Sequence, residues 1–320
     1  MLKRQRFHAI ILFVLTLVIT ACASQAPSPT NTTLRLPTPL YGHAVANNGK
    51  HIFVLGGANK EGFSRDIVII EPATQIVTQL KDKLLPRRYH SAVWDGADLI
   101  YVLGGVSNWK NRSRLQPLVE VYNIRTQEVK IIGEMPVPRR FGSAVLLDGK
   151  IIVSGGGVWS RQTRNKLVPT NTVAIYDINN DSWKKGADLP DKESTRAVVL
   201  GEHIYTVGGF NGKTPSSHFY RYDLALDSWT ELAELPQPLS AHSAVASKSK
   251  IYTFGDYTNL NSAYVFDATS STWQLAPFTL EASRHNAATI LNGNIYVLGG
   301  TIGSNGPFLD TIQIFPVNEN

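Results

Sequence analysis

The sequence predicts an all-β fold: six sheets of four antiparallel strands, set as blades around a common axis in a β-propeller. Three observations carry this. A run of Ile, Val, Tyr and Phe ending in a glycine pair or its equivalent recurs at 52–57, 100–105, 151–156, 204–209, 251–256 and 295–300, at spacings of 48, 51, 53, 47 and 44 residues. Repetition near every 50 residues marks stacked supersecondary units rather than one continuous sheet. A second signal follows at constant phase. Tyr122, Tyr176, Tyr222 and Phe266 precede Asn123, Asp177, Asp223 and Asp267, and seven residues beyond each aromatic stands Val129, Trp183, Trp229 or Trp273. Third, the chain stops after the third-strand equivalent of the sixth unit. Near its start, Leu36-Pro37-Thr38-Pro39-Leu40 repeats Leu235-Pro236-Gln237-Pro238-Leu239, which follows a fourth strand.

The elements of one unit follow in order. Strand one is of the Ser91-Ala92-Val93 type, and strand two carries the Ile-Tyr-Val run. The glycine pair ends strand two, where a side chain would crowd the neighbouring blade. Strand three ends in Tyr-Asp, strand four carries the Trp, and an apolar residue with proline closes the unit at Leu85-Pro86, Met135-Pro136, Leu189-Pro190 and Leu235-Pro236. Blade one makes the seven-residue step from Ile70 to Val77, and Asp148-Gly149 and Asn292-Gly293 mark tight hairpins. One such sheet cannot bury both its faces, so the blades must stack, with Trp183, Trp229 and Trp273 expected between them. Residues near 32–36 are expected to supply the missing fourth strand of blade six. Closure removes the exposed sheet edges that invite aggregation.

Glycine pair, Tyr-Asp and Trp at fixed phase across residues 33–316 resemble the kelch repeat. The resemblance implies a single six-bladed kelch-type propeller over residues 32–320, the last blade closed by the N-terminal strand. Departures are local: blade five has Gly255-Asp256, and blades one and two lack the Trp.

The amino terminus is read separately. Lys3, Arg4 and Arg6 precede an apolar run over 9–19 and then Thr20-Ala21-Cys22. A basic, then apolar, then small-residue series is a secretory signal, too short in its apolar part for a stable membrane span. Ile19-Thr20-Ala21-Cys22 resembles the bacterial lipobox. This implies a lipoprotein signal peptide at 1–21, a lipid on the Cys22 sulfur, and a flexible proline-rich tether through residue 31. Cys22 is the only cysteine, so no disulfide forms within the chain. Ala23, a residue other than aspartate after the lipidated cysteine, implies sorting to the outer membrane, on its periplasmic side in the first place, with the cell surface as the alternative.

Charge narrows the partners. The chain carries net +6, but losing 1–21 removes three basic residues and no acid, leaving 28 basic against 25 acidic. A total this small does not point to nucleic acid. Placement matters more. Because strand direction alternates, loops joining strands two and three share a face with the loops between blades. Trp109, Lys110, Arg112 and Arg114 follow strand two of blade two, and Trp159, Arg161, Arg164 and Lys166 follow it in blade three, with no acid in either segment. The blade-to-blade loops add Arg87, Arg88, Arg139, Arg140, Arg196 and Arg284, with His43, His90, His242 and His285 at the starts of strand one, where they are expected as hydrogen-bonding residues at the channel mouth. Guanidinium forks suit carboxylate or phosphate, and an indole offers a flat apolar surface. The expected ligand site therefore comprises Arg88, Trp109, Lys110, Arg112, Arg114, Arg140, Trp159, Arg161, Arg164, Arg196 and Arg284. It would hold an acidic protein, peptide or anionic glycan, with solvated or structural roles open for individual arginines. No metal or cofactor is expected.

Two enzyme families share the fold. Galactose-oxidase-like enzymes need a Cys–Tyr cofactor, which Cys22 cannot supply once lipidated. Periplasmic sialic-acid mutarotases resemble this chain in fold, compartment and arginine usage. That resemblance implies acid–base catalysis by Glu193-Ser-Thr-Arg196 or Glu281-Ala-Ser-Arg284. Absence of a P-loop, a nucleophile elbow or metal-spaced ligands favours a binding module over an enzyme.

Overall fold

The computed structural model describes residues 34–109, 112–160 and 166–317. The expected signal peptide over 1–21, Cys22, the expected tether, and Lys110, Arg161 and Arg164 lie outside the described residues; among the described residues there is no helix.

Six antiparallel sheets follow the predicted order. Blade one pairs Ala44–Asn47, Ile52–Leu55, Ile67–Glu71 and Ile76–Leu80 in sequence, and blades two to five repeat this. Blade six has three strands, Ala287–Leu291, Asn294–Leu298 and Ile312–Pro316. Its fourth place is taken from the amino-terminal side: Arg35 bridges Thr311, and the Leu36 N–H donates to the Asp310 carbonyl at 2.9 Å. First strands of neighbouring blades lie side by side all the way round, blade six against blade one included.

Each strand-two run is buried on both faces, as in Ile52–Leu55, because a blade covers it on either side. The core is accordingly divided into six apolar clusters, one between each pair of adjacent blades. Leu34 and Leu36 join the one between blades six and one, packing with Leu298 and Ile312 as well as Ile52. Burying one such Leu or Ile is worth about 1.5–3 kcal/mol, so the closing segment is held by packing more than by its single bridge.

The seven-residue phase is a register. Tyr176 faces Trp183, Tyr222 faces Trp229 and Phe266 faces Trp273 directly across the third and fourth strands, as Ile70 faces Val77. The indoles then reach the preceding blade: Trp229 Nε1 donates to the Ala187 carbonyl at 2.9 Å and Trp273 Nε1 to Ala233 at 3.2 Å. Asp177, Asp223 and Asp267 close the turn by accepting backbone N–H groups two residues on. At blade one the closing apolar residue that goes inside is Leu84, one position before the expected Leu85.

Glycine is required at strand two because the blades touch there. A Cβ on Gly155 would sit 2.4 Å from the Glu193 carbonyl of the next blade's loop, and one on Gly156 would sit 2.7 Å from the Gly142 nitrogen. Blade five accommodates Asp256 by using its carboxylate, which accepts from the Ser240, Thr258 and Asn259 N–H groups.

The segments expected as basic loops are hairpins, Val106–Trp109 with Arg112–Leu115 and Gly157–Ser160 with Lys166–Pro169. Both continue the antiparallel geometry of strands two and three beyond the glycine pair.

Candidate functional site

A cavity of about 710 Å³ opens on the face that carries these hairpins and the blade-to-blade loops. It is built from the residues just before strand one. Two residues before that strand, Gly42, Tyr89, Phe141, Ala241 and His285 all have left-handed backbone, φ between 52° and 61°. Such a conformation costs a non-glycine residue roughly 1–3 kcal/mol. Hydrogen bonds around the axis offset it: Phe141 N–H donates to Tyr89 O (2.8 Å), Tyr89 to Gly42 (2.6 Å), Gly42 to His285 (2.9 Å) and His285 to Ala241 (2.7 Å). The relay skips Thr195 of blade four, which keeps ordinary φ. The side chains of this ring meet over the axis, with Tyr89 4.0 Å from Phe141 and 5.1 Å from His285 between ring centres.

One residue earlier stand Arg88, Arg140 and Arg284, and these line the cavity together with Arg196. Each is held by its aliphatic stem or its edges, leaving positive charge uncompensated. Arg88 donates to the Tyr41 hydroxyl and lies 5.0 Å from the Tyr89 ring centre. Arg284 donates to the Tyr257 carbonyl at 2.7 Å and to Ser304 Oγ at 3.1 Å. Arg140 lies over Phe141 at 5.3 Å, and Arg196 Nε donates to the His242 carbonyl at 2.8 Å. No Asp or Glu lines the cavity, and among the described residues none of the four forms an ion pair. Their combined field is felt at the axis. Burial, then Arg196, Arg284, Arg88 and Arg140, push the His285 imidazole down to about 3, so it is neutral at pH 7.

The arginine dipeptides divide their labour. Arg87 is fully buried, donating to the Gly104 and Leu118 carbonyls (each 3.1 Å) and to Glu120 Oε2 (2.5 Å). Arg139 donates to the Gly155, Thr172 and Val137 carbonyls at 2.9, 2.7 and 3.0 Å. Both tie one blade's closing loop to the next blade's glycine turn, while Arg88 and Arg140 turn to the cavity.

The expected site is thus redistributed. Arg88, Arg140, Arg196 and Arg284 come together. Arg112 and Arg114 are exposed on the blade-two hairpin and do not line the cavity, nor does the exposed Trp159; the Trp109 side chain is not among those described. The blade-three hairpin contributes instead through its returning strand, Leu167 to Pro169. Lys110, Arg161 and Arg164 lie outside the described residues.

The carboxylates proposed for acid–base chemistry are not in the cavity. Glu193 points between blades three and four, its Oε2 3.5 Å from His218 Nδ1, and burial pushes its carboxyl up to about 7. Glu281 is exposed; its backbone N–H donates to Gln313 Oε1 at 2.8 Å and its backbone carbonyl accepts from Gln313 Nε2 at 3.3 Å. The histidines also separate. His43, His90 and His242 immediately precede strand one and are buried, with His242 Nε2 3.1 Å from the Val207 carbonyl; His285 lies one position earlier, in the cavity. Arg196 occupies the buried-histidine phase rather than that of the other three arginines. Tyr89, Phe141, Leu167 and Phe210 were not singled out by sequence reasoning; counting back two residues from each strand one would have found the first two.

With this geometry in view, the chain matches the KLHDC2/KLHL20/DRC7 Kelch-repeats domain over residues 42–256 and again over 194–320. The protein belongs to the kelch-repeat family. It is 30% identical to beta-scruin of Limulus polyphemus over 174 residues, 53% of this chain and 19% of that one. It is 29% identical to Kelch-like protein 40 of Xenopus tropicalis over 174 residues, 53% and 26% of the two chains. Kelch-like protein 23 of Mus musculus is 27% identical over 225 residues, 69% and 38%. The matched region is well under half of each of these relatives.

Proposed function

We propose that the protein is a binding module of the kelch class that holds an anionic ligand in the arginine-lined cavity. One observation carries the reading: four guanidinium groups converge on one cavity that has no carboxylate in its wall. Desolvated, unpaired cations are expensive, and a bound carboxylate or phosphate supplies the missing counter-charge. The acid–base alternative has nothing comparable in its favour, since neither Glu193 nor Glu281 lines the cavity.

The proposal includes export and anchoring. Residues 1–22 support a lipoprotein signal with lipid on Cys22, and Ala23 supports the periplasmic side of the outer membrane. Among the described residues no helix is long and apolar enough to cross a membrane. Two readouts test the proposal. A thermal-shift panel of an acidic peptide, N-acetylneuraminate and neutral analogues should stabilise the protein with the acids only, and less at high salt. Equal shifts with the neutral analogues would sink the ligand reading. Mass analysis of the exported protein should find cleavage before Cys22 and added lipid; an intact amino terminus would sink the anchor.

A further inference from the structure

The cavity wall is not uniformly charged, and its asymmetry bears on the kind of anion it takes. On the side of blades three and four the lining is apolar: Leu167, Val168 and Pro169 from the returning strand of the blade-three hairpin, then Phe210 and Pro215 from blade four. These five form one surface. Phe210 and Pro215 are opposite each other in the blade-four ladder, and the Gly212 turn beyond them comes so close to Pro169 that a Cβ there would lie 3.0 Å from the proline Cδ. Phe210 is 40% exposed and the three hairpin residues are half-buried, whereas Phe53, Phe219, Phe254, Phe266 and Phe315 are packed into blade interfaces. Among the described residues only Lys213, at the turn, interrupts this wall with a charge. Exposed apolar surface beside a concave polar centre marks a contact surface for a ligand.

We infer that the ligand is an amphipathic anion: an acidic group on Arg88, Arg140, Arg196 and Arg284 at the axis, joined directly to an apolar body lying along the blade-three and blade-four wall. This rests on the anionic-ligand reading above and narrows it. Charge complementarity sets the acidic end, and the Phe210–Val168 side sets the apolar one. A wholly hydrophilic polyanion leaves that wall exposed, and a neutral apolar molecule leaves the guanidiniums unpaired. The same pairing of groups occurs in a free acyl or aryl carboxylic acid and in an acidic side chain flanked by apolar residues.

Calorimetry on the full chain with straight-chain carboxylates from acetate to octanoate tests this. Affinity should rise about tenfold for every two methylenes while the tail lies on the wall. Val168→Ser with Phe210→Ser, which changes no charge, should flatten that dependence. Arg88→Gln with Arg140→Gln should weaken every member of the series by a similar factor. A wild-type series that is flat with length, yet sensitive to the arginine pair, overturns the amphipathic assignment while sparing the anionic reading. A series indifferent to the arginine pair overturns both. Capped tetrapeptides with aspartate flanked by leucines or by serines separate the sources. Preference for the leucine peptide places the same pair of groups on a protein chain, and equal binding of the two beside a length-dependent carboxylate series assigns a free acid.

Discussion

Arg87 and Glu120 form an ion pair of 2.5 Å with side chains 0% and 3% exposed, linking the closing loop of blade one to the third strand of blade two. Arg87 also donates to two carbonyls, and the second Glu120 oxygen accepts the Leu85 N–H at 2.9 Å, which leaves only Arg87 Nε without a partner in the pair. Removing one partner strands a charge in a dry interface, whereas the adjacent Arg88 faces the cavity.

Glu120→Ala is therefore expected to cost about 3–5 kcal/mol of unfolding free energy. Arg88→Gln should cost under about 1 kcal/mol, the range of a partly solvated group. Urea denaturation of the two variants checks this. Equal losses would mean that the arginine dipeptides are not divided between structure and site.

Gly155→Ala should be strongly destabilising, by about 2–4 kcal/mol, since the new methyl meets a backbone carbonyl at 2.4 Å and φ is +58°. Gly49→Ala, where nothing lies within 4 Å, should lose only the cost of its positive φ, about 1 kcal/mol. Thermal melts of the two, side by side, give the comparison.

Buried histidines set an acid limit to stability. Burial lowers His43 to about 4 and His242 to about 3 from 6.5. Below 6.5 the unfolded chain binds protons that the folded chain refuses, so their contribution to stability is lost progressively from pH 6.5 towards 4. Glu193 has the opposite sign. Its raised carboxyl stabilises the fold below 4.5, and that contribution is lost as pH rises to about 7. His242→Gln should thus flatten the fall in melting temperature between pH 6.5 and 4. Glu193→Gln should stabilise at pH 8 more than at pH 5. Parallel pH profiles for wild type and both variants would refute the assignment.

His285 should report ligand. Burial first, and then four arginines, hold its pKa near 3, and an acid seated among them cancels the arginines' share of that shift. Binding then raises the imidazole pKa, so any proton uptake on binding should grow as pH falls from 7.5 to 5. His285→Asn should remove the slope. Titrations in buffers of different ionisation enthalpy measure the proton uptake directly.

The fold was legible because each repeated residue meets one local demand. The glycine pair answers a carbonyl contact, Tyr-Asp closes a turn, and the seven-residue step to Trp is a cross-strand register. Ring closure was legible from the Leu36-Pro37 repeat, although the described closing segment is one bridge and two buried leucines rather than a full strand. The site was legible only in part. Arginine type and face were readable, and Arg88, Arg140, Arg196 and Arg284 do converge. Which arginine of a dipeptide turns inward depends on contacts between blades, 17 to 33 residues away in sequence for Arg87. Arg112 and Arg114 do not line the cavity, because the segment that carries them is a hairpin of its own rather than a loop at the start of strand one.

The central claim is that the arginines at the axis, not the basic hairpins, hold the anion. Octanoate titration of Arg140→Glu and of the Arg112→Glu, Arg114→Glu double variant tests it most directly. Arg140→Glu should abolish measurable binding, and the hairpin variant should stay within about threefold of wild type, as expected for distant charges screened by salt. Binding that survives Arg140→Glu but is lost in the hairpin variant would contradict the account.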